Sequence, residues 1–297
     1  MHIPVLFDEV MEALSVKQGG KYVDGTLGRA GHTRGIIARG GRVLGIDRDE
    51  QALKEVGALE GLTVAKGCHG DLKAIAESAG FDEADGILLD LGVSSPQLDE
   101  AGRGFSFMRE GPLDMRMDRT AGVTAAELVN TASEDELVRI IRDLGEEHQA
   151  RAVVRAIVKA RAQGKIETTT RLAEVIEAAI GRHGGKHPAT RTFQALRMQV
   201  NDELGELKRA LTGGLELLKP GGRMAIITFE SLSDRIVKEF FRSHAGKEVS
   251  LMAGGSRWEG ELPKVTLVNR KAISASESEM NLNPRSRSAK LRAVIKE

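Results

Sequence analysis

Short apolar runs alternate along the chain with longer segments in which apolar residues recur every three or four positions. The runs have the length of strands, and each following segment is about as long as a helix that connects two parallel strands. This alternation is typical of a parallel sheet covered by helices, so we predict an α/β fold. The five predicted strands are Lys21–Asp24, Arg42–Asp47, Leu62–Lys66, Gly86–Asp90 and Arg223–Phe229.

The alternation breaks after the fourth strand, because the fifth begins only at Arg223. Three stretches with helical spacing of apolar residues lie between them. The first opens with a capping box of Ser133 and Glu136, and the next two end at Gly164 and Gly181. We therefore predict a small helical domain inserted into the α/β domain. The predicted boundaries are residues 1–107 and 200–297 for the α/β domain and residues 108–199 for the insert.

Three of the predicted strands end in an aspartate, namely Asp24, Asp47 and Asp90. In open parallel sheets, ligands bind beyond the carboxyl ends of the strands. The first strand leads into a turn with a glycine at every third position (Gly25–Gly31, the glycine turn), which lets the backbone come close to a ligand. Asp47 is placed to accept both hydroxyls of a ribose, because a carboxylate offers two acceptor oxygens. Together these features predict a nucleoside ligand.

The same acids argue against a strongly anionic ligand. A pyrophosphate would be repelled by Asp24 and Asp90, and the glycine turn lacks the G-x-G-x-x-G spacing of a dinucleotide site. We therefore favour S-adenosylmethionine, a nucleoside with a sulfonium and an ammonium group, as the cofactor. A nicotinamide-dependent dehydrogenase, which shares the fold and the acid after the second strand, is the alternative that this spacing disfavours.

Composition narrows the class of protein further. With 297 residues, 41% of them hydrophobic and 29% charged, the chain is long enough and apolar enough for a globular core. It begins without the pattern of a secretory signal and contains no apolar run of about 18 residues, so we expect a cytoplasmic protein without a membrane span. The single cysteine, Cys68, excludes an internal disulfide, and the seven histidines lack metal-binding spacing, so no metal is expected.

Several long motifs match one family, and the longest of them, in the centre of the chain, is specific to it. They include "VDGTLGRAGHTRGI", "LGIDRD", "GILLDLGVSSPQLDEAGRGFSFMREGPLDMRMD", "HPATRTFQALRMQVNDEL" and "NPRSRSAKLR". Through them the sequence resembles, over nearly its whole length, the bacterial 16S ribosomal RNA cytosine-N4 methyltransferase family known as RsmH or MraW. The resemblance implies a class I S-adenosylmethionine-dependent methyltransferase fold, which is Rossmann-like with a mainly parallel sheet and an inserted helical domain. It also implies methyl transfer to N4 of one cytosine in the decoding region of the small ribosomal subunit.

The resemblance assigns cofactor contacts and shows departures from the family at four positions. Ala30 stands where the family has a glycine, a small change if its φ angle is negative, and Leu72 replaces a phenylalanine that would flank the adenine. Glu230 and Ser233 stand where the family has a histidine and a glutamate, so no role of that histidine can be transferred. The implied cofactor contacts are Ala30, Gly31, His32, Asp47, Leu72, Asp90 and Gln97.

The reaction needs an acceptor for a proton of the cytosine amine, because the lone pair of that nitrogen is delocalised into the ring. Asp90 or the backbone carbonyls of residues 92–95 are the candidates, and a role of Asp90 in cofactor binding alone is the other interpretation. Phe105 and Phe107 are candidates for stacking on a flipped base, although an isolated phenylalanine pair is slightly more often ordinary core.

Charge suggests where the RNA binds. The 43 basic residues equal the 43 acidic ones, so a nucleic-acid surface must be local. Residues 178–201 and 280–296 are basic without any acid, and we expect them to flank the cofactor crevice and hold phosphates, although such runs are usually solvated surface. The substrate-binding candidates are Arg191, Arg197, Arg285 and Arg287, and the remaining cations of the two segments are Arg182, Lys186, Lys290, Arg292 and Lys296.

Two function classes remain open on the sequence alone. The first is an enzyme that methylates 16S ribosomal RNA within the small subunit. The second is a non-catalytic ribosome-assembly factor that keeps the fold, which only the departures at Glu230 and Ser233 support.

Overall fold

The computed structural model describes residues 4–182, 185, 187–250, 256–259 and 262–297. The chain divides into two compact units, an α/β unit of residues 1–92 and 205–297 and a helical unit of residues 93–204. The helical unit begins at Val93, earlier than the residue 108 expected from the sequence, because Phe105 and Leu113 belong to its hydrophobic core.

Helices and strands are numbered separately in chain order. The first part of the chain forms α1 (Phe7–Leu14), β1 (Lys21–Asp24), α2 (Gly31–Ala38), β2 (Arg42–Asp47), α3 (Glu50–Val56), β3 (Leu62–Lys66), α4 (Leu72–Ser78) and β4 (Ala84–Asp90). The middle part forms α5 (Ser95–Asp99), α6 (Ala125–Thr131), α7 (Glu134–Asp143), α8 (Ala150–Arg161), α9 (Thr169–Ile180) and α10 (Ala189–Val200). The last part forms α11 (Glu203–Leu217), β5 (Leu218–Thr228), α12 (Ser231–His244), β6 (Lys247–Ser250), β7 (Ser256–Glu259), β8 (Val265–Leu267), β9 (Ile273–Ser274), α13 (Glu277–Leu282) and β10 (Lys290–Lys296). None of the helices in the described ranges is both long and apolar enough to cross a membrane.

The main sheet confirms the predicted α/β class. Its strand order is β3-β2-β1-β4-β5-β10-β8, with β9 also paired to β10. Strands β1 to β5 are parallel, whereas β10 runs antiparallel to β5 and β8. The order reverses between β1 and β4, and a ligand crevice forms beyond the carboxyl ends of the strands at such a point.

Helices cover the α/β sheet on both faces, which explains the unbroken apolar run in β4. Ile87 and Leu89 are fully buried in one hydrophobic cluster, together with residues of α4, α11 and α12. Leu88, which points to the other face, is buried in a second cluster that includes residues of α1. Asp90 continues on the face of Leu88, because side chains alternate along a strand.

Three predicted elements differ from the structure. Strand β4 begins at Ala84 rather than at Gly86. Strand β5 begins at Leu218 rather than at Arg223, because the chain bulges between the pairs Ala84–Leu218 and Gly86–Arg223. The apolar pattern from Phe193 onward, which reads as one long helix, is divided into α10 and α11, with Asp202 in a left-handed conformation (φ 48°) between them. The C-terminal strands β8 to β10 were not predicted.

The helical unit has a hydrophobic core of its own. It is formed by one face of each of the helices α6 to α10, for example by Val129, Leu137, Val153, Leu172 and Phe193. Their opposite faces carry most of the charged residues of these helices, so much of this charge is available to solvent and ligands.

Candidate active site

Asp24, at the end of β1, stabilises the glycine turn from inside the protein. One carboxylate oxygen accepts a hydrogen bond of 2.7 Å from the hydroxyl of Thr33 on α2, and the other accepts one of 3.1 Å from the amide of Thr26. The side chain is buried, and this burial raises the pKa of Asp24. Asp24 therefore holds strand, turn and helix together, and both of its oxygens are already engaged.

Asp47, at the end of β2, links the glycine turn to the next loop. One oxygen accepts a hydrogen bond of 2.8 Å from the amide of Gly28, and the other accepts one of 2.9 Å from the amide of Asp49. Partial burial of the side chain raises the pKa of Asp47. Each oxygen keeps a further lone pair, so the carboxylate is oriented by the backbone and can still accept hydrogen bonds from a diol.

The backbone of Ala30 is left-handed (φ 59°), so the condition under which alanine would be a small change from glycine is not met. A left-handed conformation costs a residue other than glycine about 1–2 kcal/mol. The methyl group of Ala30 is fully buried beside Leu27 and Val56, which offsets about 0.8 kcal/mol of that cost. The next residue must be small, because a Cβ at Gly31 would lie 2.6 Å from Cγ of Pro4.

His32, in the first turn of α2, joins the N-terminal segment to the end of β4. Its Nε2 lies 2.9 Å from the carbonyl oxygen of Val5 and must therefore carry a proton, since a carbonyl only accepts. Its Nδ1 lies 3.8 Å from an oxygen of Asp90, and its ring stacks on that of Phe7 at 6.2 Å. The buried imidazole is thus fixed in place by contacts within the protein.

Asp90 has the least satisfied carboxylate of the site. Its amide donates a hydrogen bond of 2.6 Å to the hydroxyl of Thr26, which fixes the backbone at the strand end. Its Oδ1 is buried without a hydrogen-bond partner among the described residues. Burial raises the pKa of Asp90 to about 6, while His32 lowers it and the charge of Asp24 raises it further. A buried, unpaired acceptor with a raised pKa at a strand end is a strong signal of a functional site.

His69 is a site residue that the sequence reasoning missed. It follows β3 in a short 3₁₀ turn, and its Cβ lies 3.3 Å from the position that a Cβ on Gly25 would take. Its Nε2 is buried without a partner among the described residues. Burial, together with the charges of Arg48 and Arg209, lowers the pKa of His69 to about 3, so the ring is neutral at physiological pH. Applying the strand-end rule to every polar residue, and not to acids alone, would have identified it.

Leu72 does not fit the adenine-flanking role that the family resemblance implied. It is the first residue of α4 and is completely buried in the core of the α/β unit, with Ala76 and Ile87 in the same cluster. It therefore has no exposed surface for a cofactor. His69, which borders the glycine turn, is the better candidate for a contact with the adenine of the cofactor.

Glu206 on α11 anchors the loops that carry Asp47 and His69. Its Oε2 accepts a hydrogen bond of 2.8 Å from the amide of Gly70 and lies 3.9 Å from Nη2 of Arg48. Its Oε1 accepts a hydrogen bond of 2.9 Å from Arg209. The buried glutamate thus connects the loop after β2 with the turn after β3.

The remaining two departures from the family follow the carboxyl end of β5. Glu230 immediately precedes α12 and is partly exposed, whereas Ser233 is buried in the first turn of that helix. Ile227 pairs with Asp90 in the sheet, so Glu230 follows a strand that is adjacent to β4.

Gln97 lies in the helical unit, where it caps a helix. Its side-chain oxygen accepts a hydrogen bond of 3.0 Å from the amide of Ser94, and the hydroxyl of Ser94 accepts one of 3.4 Å from the amide of Gln97. This capping box begins α5. A cofactor contact of Gln97 stays a prediction.

The two phenylalanines proposed to stack on a base differ in exposure. Phe105 is buried in the core of the helical unit, with the guanidinium of Arg103 5.8 Å from its ring centre, which leaves no free face for a base. Phe107 is partly exposed, and its ring contacts those of His187 and Phe193 at 4.6 and 4.9 Å. Stacking on a base is thus wrong for Phe105 and stays a prediction for Phe107.

The first basic segment is largely neutralised by acids distant in sequence. Arg197 is buried and forms two hydrogen bonds of 2.7 and 2.8 Å with the carboxylate of Glu203, so the prediction that it holds phosphate is wrong. Arg191 is half exposed and lies 3.9 Å from the carboxylate of Glu147. Arg182 pairs with Glu177, and Lys186 lies outside the described residues.

Cations of the second basic segment are likewise engaged by groups that are distant in sequence. Lys290 and Arg292 both pair with Asp234 on α12, at 3.5 and 2.7 Å. Lys296 donates to backbone carbonyls of Glu216 and Leu218. Arg285 and Arg287 remain exposed in the 3₁₀ turn Pro284–Ser288, so they keep their predicted role as candidates.

The family model and the relatives found by sequence agree on one family. A family model described as the MraW methylase family matches residues 1–297. A protein of Geobacter sp. (strain M21) named ribosomal RNA small subunit methyltransferase H is 52% identical, over 99% of this chain and 98% of its own. One of the same name from Methylobacterium nodulans is 50% identical, over 98% of this chain and 89% of its own. Among solved structures, an rRNA methylase from Streptococcus thermophilus is 12% identical, with a TM-score of 0.42 and coverage of 98% and 93%.

Proposed function

Because the chain belongs to the MraW methylase family, we propose that it uses S-adenosylmethionine to methylate the exocyclic N4 of a cytosine in 16S ribosomal RNA. The observation that carries this proposal is Asp90, whose buried Oδ1 has no partner among the described residues and lies at the end of the strand beside the topological switch. The names of the relatives, which are ribosomal RNA small subunit methyltransferases, support the substrate class.

The residues at the strand ends fit this cofactor. Asp47 presents a carboxylate, oriented by two backbone amides, that suits the hydroxyls of a ribose. The neutral ring of His69 offers an unsatisfied buried nitrogen to a base, and the glycine turn brings backbone close to the ligand. The carboxylate of Asp90, which is ionised at physiological pH, suits a cationic ligand. S-adenosylmethionine supplies a methyl group on a positively charged sulfur.

Asp90 is proposed to accept a proton from the cytosine amine. With a pKa of about 6 the side chain is ionised at physiological pH, and it is a stronger base than an ordinary aspartate. A hydrogen bond from the amine to this carboxylate would favour the geometry in which the nitrogen lone pair is free to attack. His32, fixed by Val5, holds its Nδ1 3.8 Å from this carboxylate and helps to keep it in place. Asp90 could instead serve the cofactor alone, with a backbone carbonyl of residues 92–95 as the acceptor.

The substrate is proposed to be the decoding-region cytosine within the small ribosomal subunit. The cytoplasm, where ribosomal subunits are assembled, is the compartment that this proposal implies. The rival function, a non-catalytic assembly factor, has support only from Glu230 and Ser233. An enzyme is favoured because Asp47 and Asp90 are both retained at their strand ends.

The proposal is tested by transfer of a labelled methyl group. The protein is incubated with methyl-labelled S-adenosylmethionine and small subunits that lack the modification, and RNA and protein are then separated. We expect label in the RNA. No label in the RNA, from a protein that demonstrably binds the cofactor, would favour the non-catalytic function.

A further inference from the structure

The helical unit carries a basic groove that lies outside both basic segments of the sequence. The groove has a volume of about 590 Å³, and its walls come from α7 and the first half of α8. We propose that this arginine groove binds the phosphate backbone of the RNA, at a contact separate from the cofactor-binding strand ends. The inference rests on the proposed function, because it names a further contact for the same substrate. The groove is lined by Glu134, Asp135, Val138, Arg139, Arg142, Arg151 and Arg155.

The cations of the arginine groove differ from most other arginines of the helical unit. Arg139, Arg151 and Arg155 are exposed and form no ion pair with any described residue, and only Arg142 is paired, with Asp143. Elsewhere in the unit the guanidinium groups are largely engaged by acids or by backbone carbonyls. The engaged arginines include Arg103, Arg116, Arg161, Arg171, Arg182 and Arg197. Unpaired arginines in a chain of zero formal charge indicate an anionic partner.

Geometry places the cations in a row. Arg151 and Arg155 are four residues apart on α8, so their side chains lie on one face, about 6 Å apart along the helix axis. Lys159, four residues further on, is exposed and extends the row beyond the groove. The opposite face of α8 is buried in the core of the unit. The row therefore has a rigid base, which suits a polymer with regularly repeated charges.

The type of cation favours phosphate over other anions. Every cation that lines the groove is an arginine, whose planar guanidinium offers parallel N–H donors to two phosphate oxygens. An acidic protein segment would also be attracted, but the proposed substrate already presents phosphates to the enzyme. The acids Glu134 and Asp135 belong to the first turn of α7, where the helix dipole favours them, and no ion pair joins them to the groove arginines.

Because the groove contains both acids and arginines, removing one or the other should change the affinity for an anionic ligand in opposite directions. The full-length protein is mixed with small ribosomal subunits, and binding is measured by co-sedimentation over a range of salt concentrations. We expect the double variant Arg151→Ala/Arg155→Ala to bind about tenfold more weakly or worse, with a salt dependence reduced by about two phosphate contacts. Asp135→Asn, which removes a negative charge from the same groove, is expected to bind more tightly than the unmodified protein. Cofactor affinity should stay within twofold for both variants.

Arg171→Ala is the matched control. Arg171 is exposed on α9 of the same unit, outside the groove, and lies 3.6 Å from Glu174. Its replacement should leave binding of the subunit within about twofold. Equal binding by the double variant and the control would overturn the inference, and so would weaker binding by Asp135→Asn.

Failure of the inference can be told apart from failure of the proposed function. If the protein methylates subunits and its double variant binds them normally, the proposed function stands and the inference about the arginine groove is wrong. If the protein neither binds nor methylates subunits, both the proposed function and the inference about the groove are wrong. If polyglutamate releases the protein from subunits more effectively than an RNA of equal charge, the groove takes an acidic protein and the proposal of an RNA phosphate ligand is wrong.

Discussion

The carboxylate of Asp47 accepts a hydrogen bond of 2.8 Å from the amide of Gly28, which joins the end of β2 to the glycine turn. The other oxygen accepts from the amide of Asp49, so both oxygens face N–H donors. Asparagine has only one oxygen, and Asp47→Asn would set its NH₂ group against one of these amides. We expect affinity for S-adenosylmethionine, measured by calorimetry, to fall about 10- to 100-fold.

Asp49→Asn is the control for loss of charge at this loop. Asp49 caps α3 by accepting a hydrogen bond of 3.1 Å from the amide of Gln51, and asparagine caps a helix equally well. Its cofactor affinity should stay within about threefold of that of the unmodified protein. Equal losses in the two variants would mean that charge, rather than the orientation of Asp47, governs binding.

Asp90→Asn should slow methyl transfer more than it weakens cofactor binding. An amide cannot take the proton of the cytosine amine, so the single-turnover rate at pH 7.5 should fall about 100-fold or more. In the unmodified protein the rate should rise with pH up to about 6 and then level off, because only the ionised carboxylate accepts a proton. A variant that binds the cofactor normally and keeps full turnover would assign the acceptor role to a backbone carbonyl instead.

The same substitution should change how stability depends on pH. The pKa of Asp90 is about 6 in the folded protein, against 3.8 ordinarily, so the folded state holds the proton more tightly than the unfolded state. The free energy of unfolding therefore loses this contribution as pH rises from about 4 to about 6 and stays lower above that. Asp90→Asn has no such loss. The difference in unfolding free energy between the variant and the unmodified protein, measured by denaturant unfolding, should therefore shift in favour of the variant by about 1–3 kcal/mol from pH 4 to pH 8. A constant difference between pH 4 and pH 8 would contradict the raised pKa.

Glu206→Ala should destabilise the loops of the cofactor site. The change leaves the buried amide of Gly70 without its acceptor and removes the carboxylate from Arg48, which costs about 3–5 kcal/mol of unfolding free energy. Glu216→Ala is the control on the same helix, because its carboxylate is 55% exposed and pairs with Lys73. That change should cost less than about 1 kcal/mol. Similar costs for the two variants would show that Glu206 does not anchor the loops.

Local sequence determines the strands that were predicted correctly. Strands β1, β2 and β3 have the predicted bounds, because each apolar run is short and is bounded by turn residues or charge. Strand β10 was not predicted, because its pairing with β5 joins segments more than sixty residues apart and its sequence alternates with basic residues. The break between α10 and α11 depends on the conformation of Asp202, which the apolar pattern does not reveal.

The candidate site was predictable only where it depends on strand ends. The positions of Asp47 and Asp90 follow from the rule that ligands bind at the carboxyl ends of parallel strands. The partners of the basic residues could not be predicted in this way, because they are distant in sequence: Asp234 neutralises Lys290 from 56 positions away. His69 was overlooked for a different reason, because the strand-end rule was applied to acids alone; its lowered pKa, to which Arg48 and Arg209 contribute from other elements, could not be predicted.

Identification of the nucleoside that receives the methyl group is the decisive test of methylation at cytosine N4. Small subunits lacking the modification are labelled by the protein, their RNA is digested, and the labelled nucleoside is identified by chromatography and mass spectrometry. We expect N4-methylated cytidine from a fragment of the decoding region, with little label when Asp90→Asn replaces the unmodified protein. Label in a different nucleoside, or N4-methylated cytidine formed equally well by the variant, would contradict it.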